Sequence, residues 1–404
     1  MDTTAFTTDS SGKLLRTPQG YVAFVPNALP PRELPLSWDL ASINSAADRA
    51  ISELSGLTRT LPNPRLLMTP FARREAVLSS RIEGTQASMA DLVLYEAAGQ
   101  PESDVSDVQE VRNYVTALDH GLARLPELPL SLRLIREMHE RLMAGVRGRH
   151  LTPGEFRRSQ NWIGQAGSTL ADASYVPPPV AEMEAALSDL ERYLHAPSPL
   201  PPLVRLALIH YQFEAIHPFL DGNGRIGRLL VSLLLCVDGL LQEPLLYLSA
   251  YLERHRDEYY RLLTEVSRSG AWEEWIAFFL RGVAEQARDA ADRAAQLVRL
   301  WHDFRAAVVS SAVLLRLIDE LFEHPAMTVP QAARRLGVTH RGAQLNIDKL
   351  LAAGIVREVT GRRRNRIYMA DRIMEILEAD FAEPRSVALG TRGGLRGPAG
   401  AGAM

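Results

Sequence analysis

The sequence predicts an all-α protein with one short extended interruption and a basic winged helix-turn-helix unit near its C-terminus. Three observations predict it. Apolar residues recur at helical spacing through most of residues 46–322, the pattern fails over 154–180, and arginines gather within 326–370. A length of 404 residues implies two or three domains. A hydrophobic fraction of 46% with 23% charged residues is that expected of a soluble globular protein. The formal net charge of −3 points to no partner class, so the local clustering of charge has to answer that question.

Residues 1–45 form an N-terminal arm punctuated by proline and serine, for which a loose conformation is expected. Helical spacing begins near 46, and 46–104 make an N-terminal helical region: Leu54, Leu57 and Leu61, then Val77, Leu78 and Ile82, then Met89, Leu92 and Val93. Residues 105–290 make the central core. Its first helices fall at 105–125 and 131–146, with apolar faces Val111, Val115, Leu118, Leu122 and Leu132, Ile135, Met138, Leu142. Segment 154–180 then reads as short extended pieces joined by turns, with a hairpin among them. Helices follow at 180–195 and 201–216, the second stopped by Pro218, and another runs from Arg225 to about Val237. A helical connector occupies 291–325, the winged unit 326–375, and the glycine-rich 384–404 reads as a flexible tail.

The longest apolar run, Leu229–Val237, is far shorter than the roughly 18 residues of a membrane span. The N-terminus lacks the basic start and apolar stretch of a signal peptide. Cys236 is the single cysteine, so an internal disulfide is impossible and a reducing, cytoplasmic setting is expected.

The stretch His217-Pro-Phe-Leu-Asp-Gly-Asn-Gly-Arg-Ile-Gly-Arg228 concentrates the chemistry. Gly222-Asn-Gly224-Arg-Ile-Gly227 formally fits the dinucleotide pattern G-x-G-x-x-G, and Asp238 and Glu243 even lie at a suitable distance. That pattern needs a preceding strand, whereas the residues before it here have helical spacing. What remains is helix, tight loop, helix. Gly222 and Gly224 allow successive N–H groups to face one side as an anion nest, and the next helix adds its positive end. Arg225 and Arg228, three apart, share a face and suit phosphate oxygens. Asp221 among phosphate-binding groups would repel unless a cation intervened, which implies Mg²⁺ held mostly by water and phosphate. His217 is placed to act as a base toward an incoming hydroxyl. Each feature alone is commonplace; their order in one loop is not.

These twelve residues match, at every position, the signature H-P-F-x-[DE]-G-N-G-R-x-x-R of Fic-domain proteins, which the chain resembles over about 60–370. The resemblance implies an all-α Fic-fold helical core with a small β-hairpin flap, and transfer of AMP from ATP to a Tyr, Thr or Ser hydroxyl of a target protein. It implies that His217 deprotonates that hydroxyl, Asp221 holds Mg²⁺, Gly222, Asn223 and Gly224 cradle the α- and β-phosphates, Arg225 contacts phosphates and Arg228 engages the γ-phosphate. Segment 160–178 corresponds to the flap that lays the target alongside as an added strand. Tyr259 and Tyr260 correspond to an adenosine pocket. Ser79-Ser-Arg-Ile-Glu83-Gly84 is similar to the inhibitory pattern [ST]-x-x-x-E-[GN] of self-restrained members. Glu83 would then compete with the γ-phosphate for Arg228.

Segment 328–358 reads as a helix-turn-helix: first helix Val329–Leu336, turn Gly337–His340, second helix Arg341–Ala352. The following Val359–Tyr368 resembles the wing of a winged helix. Arg341 and Gln344 would face a nucleic acid from the second helix, and Arg362, Arg363 and Arg364 would meet backbone phosphates from the wing. The partners expected are ATP with Mg²⁺, a hydroxyl-bearing target that includes the chain itself, and DNA; no membrane is expected, and a homodimer is left open. Three other readings also stay open: a DNA-binding regulator with a nucleotide-sensing Fic domain, removal of AMP, and transfer of another phosphate-containing group.

Overall fold

A computed structural model of the chain describes residues 1–34, 36–59, 63–98, 105–146, 152–164, 167–308 and 311–379. The expected tail at 384–404 lies outside the described residues.

The N-terminal arm departs from expectation. It opens with an antiparallel hairpin, β1 (Gly12–Arg16) and β2 (Val22–Pro26), in register from Gly12 with Pro26 to Arg16 with Val22. The punctuating residues bracket a short apolar alternation instead of dissolving it. The backbone N–H and hydroxyl of Thr17 both donate to the carbonyl of Tyr21, and Gly20, at φ +90°, supplies the turn. The Phe24 N–H donates to the Val176 carbonyl (2.9 Å) and its ring packs on Tyr175 (centroids 6.0 Å), so the hairpin buttresses the extended segment.

Helix α1 (Trp38–Arg59) starts earlier than residue 46 because Ser37 caps it, its hydroxyl accepting from the Leu40 N–H at 3.1 Å. The prolines just upstream hide that start in the sequence. Next come α2 (Arg65–Ile82), α3 (Met89–Ala98), α4 (Val105–Arg124) and α5 (Leu132–Leu142). After the extended segment follow α6 (Val180–His195), α7 (Pro202–Ile216) and α8 (Asn223–Val237), then α9 (Ser249–Arg254), α10 (Arg256–Ser269) and α11 (Trp272–Ala307). Helix α7 is buried on nearly every side, from Leu203 to Ile216, which is why its apolar residues run all round it. Helix α11 passes unbroken through residue 290, where the sequence reading places a boundary. Ala287, Ala290, Ala291 and Ala294 continue its buried stripe, and these small residues let α1 pack along it.

The extended segment is shorter than a hairpin: one antiparallel bridge joins Ile163 to Tyr175. Pro177, Pro178 and Pro179 have no N–H to extend the pairing.

The C-terminal unit comprises α12 (Ala312–Glu323), β3 (Ala326–Thr328), α13 (Val329–Leu336), α14 (His340–Ala352), β4 (Arg357–Glu358), β5 (Ile367–Met369) and α15 (Asp371–Glu378). Its strands form an antiparallel sheet in the order β3-β5-β4. Thr328 and Gln331 cap α13 reciprocally, and Thr339 caps α14. The unit is docked, since α12 packs on α2 and β3 on α3. Among the described residues no helix is long and apolar enough to cross a membrane.

Candidate active site

Helix α7 ends at His217, which adopts the left-handed conformation (φ 50°, ψ 60°) with its N–H donated to the Phe213 carbonyl. Residues other than glycine adopt this geometry seldom, Asn, Asp and His more readily than the rest, and it costs about 1–3 kcal/mol. Five residues later Gly222 is also left-handed (φ 79°), and α8 begins. The Asn223 side chain braces the loop across its width: Oδ1 accepts from the Phe219 N–H and Nδ2 donates to the Phe219 carbonyl, both at 2.8 Å. From below, His139 of α5 accepts at Nδ1 from the Gly154 N–H (2.9 Å), so Nε2 carries the proton and donates to the Asp221 carbonyl (3.0 Å). Burial pushes His139 down to about 4, which keeps it neutral for this role.

Above the loop lies a cavity of about 710 Å³, a size typical of ligand sites. His217, Asp221, Gly224 and Arg228 line it on one side, with Glu83 beside them, while Tyr259, Tyr260 and Arg256 come from α10 and Trp162 and Ile163 from the extended segment. Burial pushes His217 down to about 4, assisted by Arg157, and its Nδ1 lies 3.3 Å from the Glu214 carbonyl. With Nδ1–H donated there, Nε2 keeps the lone pair that a base requires. The unfolded chain would bind a proton on this imidazole below pH about 6.5, but the folded protein does so only near 4. The stability this contributes is present above pH about 6.5 and is lost as the pH falls from there toward 4. In a ¹³C-labelled histidine NMR titration, the His217 ring signal should stay flat from pH 8 to 5.5; a midpoint near 6.5 would contradict the assignment.

Arg228 is buried, and Nε and Nη2 of its guanidinium are engaged. Nε donates to the Ser79 hydroxyl (2.7 Å), and Nη2 donates to the Ser79 carbonyl (2.9 Å) and to Glu83 Oε1 (2.7 Å). Burial acts to raise the Glu83 carboxyl, but the adjacent Arg228 outweighs it and holds the group below the usual range. A Cβ at position 224 would collide with Glu83 Oε1, so glycine is what lets the carboxylate approach the loop.

The predicted residues divide into two groups. His217, Asp221, Gly224, Arg228, Glu83, Tyr259 and Tyr260 come together around the cavity. Gly222, Asn223 and Arg225 do not: the Gly222 N–H donates to Asp221 Oδ1 (2.6 Å), the Asn223 side chain is spent on Phe219, and Arg225 turns behind the loop, 4% exposed, with Nη1 at 3.5 Å from Glu110 and Nη2 at 3.7 Å from Asp221. From there it braces Asp221 from behind. Tyr259 is a buried wall whose hydroxyl bonds His210 Nε2 (2.9 Å), whereas Tyr260 is 40% exposed under Arg256. On the C-terminal unit Arg341 is exposed and Arg362, Arg363 and Arg364 line the wing, while Gln344 is held by Asp348 at 2.7 Å.

Two further residues receive no role from the sequence. Glu214, three before His217, faces the cavity with Oε1 buried and without a hydrogen-bond partner, and burial pushes its carboxyl up to about 8. Arg157, 1% exposed, donates from Nε to the His217 carbonyl (3.0 Å), from Nη1 to the Ser159 carbonyl and from Nη2 to the Pro178 carbonyl. It thereby ties both ends of the extended segment to the base. Arg157→Ala should cost about 2–4 kcal/mol in urea unfolding, because three carbonyls lose a charged donor. Arg157→Lys, lacking the planar fork, should recover only part of it. Unchanged stability in both would remove the tether from this account.

Residues 42–123 match the Fic/DOC family N-terminal domain, 129–235 the Fic/DOC family, and 314–368 an HTH DNA binding domain. The protein named Protein adenylyltransferase Fic in Drosophila erecta is 30% identical over 162 residues, covering 38% of this chain and 30% of the relative. Its namesake in Drosophila yakuba is 29% identical over 211 residues, covering 48% of this chain and 38% of the relative. The chain thus spans only about a third of the length of these relatives. A solved Fic family protein from Desulfovibrio desulfuricans G20 shares its fold, with a TM-score of 0.55 at 19% identity over 83% of this chain and 97% of that one. Taken with the helix–loop–helix that presents His217 to the cavity, these matches make the chain a Fic-domain protein with a C-terminal helix-turn-helix domain.

Proposed function

We propose that the protein is an adenylyltransferase that moves AMP from ATP to a hydroxyl of a target protein and restrains itself through Glu83. The observation that carries this reading is the convergence on one cavity of a neutral imidazole, an amide loop at a helix N-terminus and a buried guanidinium already occupied by a carboxylate. His217 Nε2 takes the proton of the target hydroxyl, whose oxygen forms a bond to the α-phosphorus as the bond to the departing pyrophosphate breaks. The N–H groups of Asn223 and Gly224 and the start of α8 receive phosphate charge, while the Gly222 N–H donates to Asp221 Oδ1 (2.6 Å), and Arg228 receives the γ-phosphate once Glu83 has left. Positioning and charge neutralisation supply most of the rate in such a transfer.

Asp221 fits a divalent cation. Its carboxylate is 44% exposed at the cavity, and no group of three or more His, Cys, Asp or Glu side chains able to hold a metal exists among the described residues. Mg²⁺ suits that donor set, because it takes one carboxylate and keeps water and phosphate as its other ligands. The C-terminal unit, with Arg341 on α14 and arginines along the wing, fits duplex DNA as a further partner.

ATP labelled at either the α- or the γ-phosphate discriminates among the transfers. Label carried onto protein from the α position alone supports AMP transfer; label from the γ position overturns it in favour of phosphate transfer. DNA binding without any transfer would favour the regulator with a nucleotide-sensing domain.

A further inference from the structure

Helix α2 does more than carry Ser79 and lead into Glu83. Its middle is clamped to the winged unit by two consecutive arginines. Arg73, 3% exposed, donates from Nη1 to the carbonyl of Glu323, the last residue of α12, and Nη2 lies 3.1 Å from His324 Nδ1. The same guanidinium pairs with Glu96 at 2.8 Å, and the Glu96 carbonyl accepts from Gln331 Nε2 of α13 at 3.0 Å. Burial, with Arg73 and Arg335 adding to it, pushes His324 down to about 3, so this imidazole is neutral and accepts from Arg73. Next along, Arg74 Nε donates to the Leu377 carbonyl in the last turn of α15 (3.1 Å), and Arg293 of α11 donates to the carbonyls of Ile376 and Ala379.

Helix-end carbonyls have no partner within their own helix. Here the end of α12 is met by Arg73 of α2, and the end of α15 is shared between Arg74 of α2 and Arg293 of α11. Arg73 and Ser79 lie on one continuous helix only about 9 Å apart along its axis. A shift of either captured end therefore reaches the Ser79 carbonyl and Glu83, and both of these hold Arg228.

We propose that the winged unit is the control input of the transferase: duplex DNA engaging α14 and the wing shifts α2 through the Arg73–Arg74 clamp and so alters the hold of Glu83 on Arg228. This inference rests on the adenylyltransferase reading given above. Such coupling is reciprocal, so ATP that displaces Glu83 changes affinity for DNA by the same factor as DNA changes affinity for ATP.

The test uses the full chain. Arg73→Ala should raise AMP transfer by about 5- to 50-fold in the wild-type background and leave a Glu83→Gly background within about twofold, since no brake remains there to release. Arg73→Lys, which keeps the charge but loses the fork, should fall between. Activity lowered equally in both backgrounds would show a merely structural clamp and overturn the proposal. A duplex selected from a random-sequence library on the immobilised chain should change the wild-type rate by about fivefold or more, and should change neither Arg73→Ala nor Glu83→Gly. Failure to select any duplex, or equal rates with and without it, overturns the assignment of DNA as effector. If Glu83→Gly itself transfers no AMP, the adenylyltransferase reading is what has failed; anisotropy of the labelled duplex with and without ATP then still measures the coupling, and identical affinities reject it.

Discussion

Glu83→Gly should raise AMP transfer by about 10- to several hundred-fold over the wild-type chain. In the resting protein Glu83 Oε1 stands 2.7 Å from an Arg228 guanidinium that also holds the Ser79 hydroxyl and carbonyl. A phosphate oxygen seeking Nη2 of that guanidinium must displace the carboxylate. Two unit charges about 4 Å apart at an effective dielectric near 20 attract by roughly 4 kcal/mol, which bounds the competition at about three decades. The Glu83 side chain keeps 34% of its surface open to solvent, so screening lowers the gain below that bound. Glycine removes the carboxylate, and the space it vacates lies directly against Gly224. Steady-state transfer measured with α-labelled ATP checks the prediction. Equal rates for variant and wild type would mean that Glu83 does not restrain the enzyme. Stability should fall, because the buried Arg228 loses its acidic partner, and the two bonds to Ser79 that it keeps offset only part of that loss.

His217→Ala should abolish transfer, with a loss of at least about 10³-fold measured in the Glu83→Gly background, where the signal is large. The imidazole is neutral at working pH because burial holds it near 4, and its Nδ1 is engaged by the Glu214 carbonyl, which fixes the free lone pair on Nε2. With Glu83 gone, two carboxyl groups also line the cavity among the described residues. Asp221 is braced by Arg225, and the Glu214 carboxyl is held protonated by burial up to about pH 8. Binding of ATP should survive the substitution to within a fewfold, since the amide loop and Arg228 are untouched. Loss of ATP binding along with transfer would assign His217 a structural role. His217→Asn separates the two further, as it tolerates the left-handed backbone but cannot act as a base.

The site was legible in the sequence to the extent that it is local. One twelve-residue run contains the base, the amide loop and the guanidinium, and helical spacing on either side locates them between two helices. Glu83 lies 145 residues from Arg228 and was legible only through a short pattern whose significance depends on the distant motif. Arg225 shows the limit of pattern reading. Two arginines on one face of a first helical turn look equivalent, yet the packing of α4 turns one toward Glu110 and leaves the other at the cavity. Arg157, His139 and Glu214 were missed as actors because their roles come from carbonyls and cavities that exist only after folding. The N-terminal hairpin was hidden because its strands are five residues each and depend for burial on the extended segment 150 residues later. The winged unit read well, since its caps, turn glycine and arginine wing are all local signals. What it touches did not, because Arg73 and Arg74 look like surface charges on an ordinary helix.

Intact-mass analysis of the Glu83→Gly chain, incubated with cell extract, ATP and Mg²⁺ beside a Glu83→Gly/His217→Ala control, tests the central claim most directly. The account predicts adenylyl-sized increments on the chain itself or on an extract protein, absent from the control. Phosphate-sized increments, or adenylyl increments that persist without His217, would contradict it.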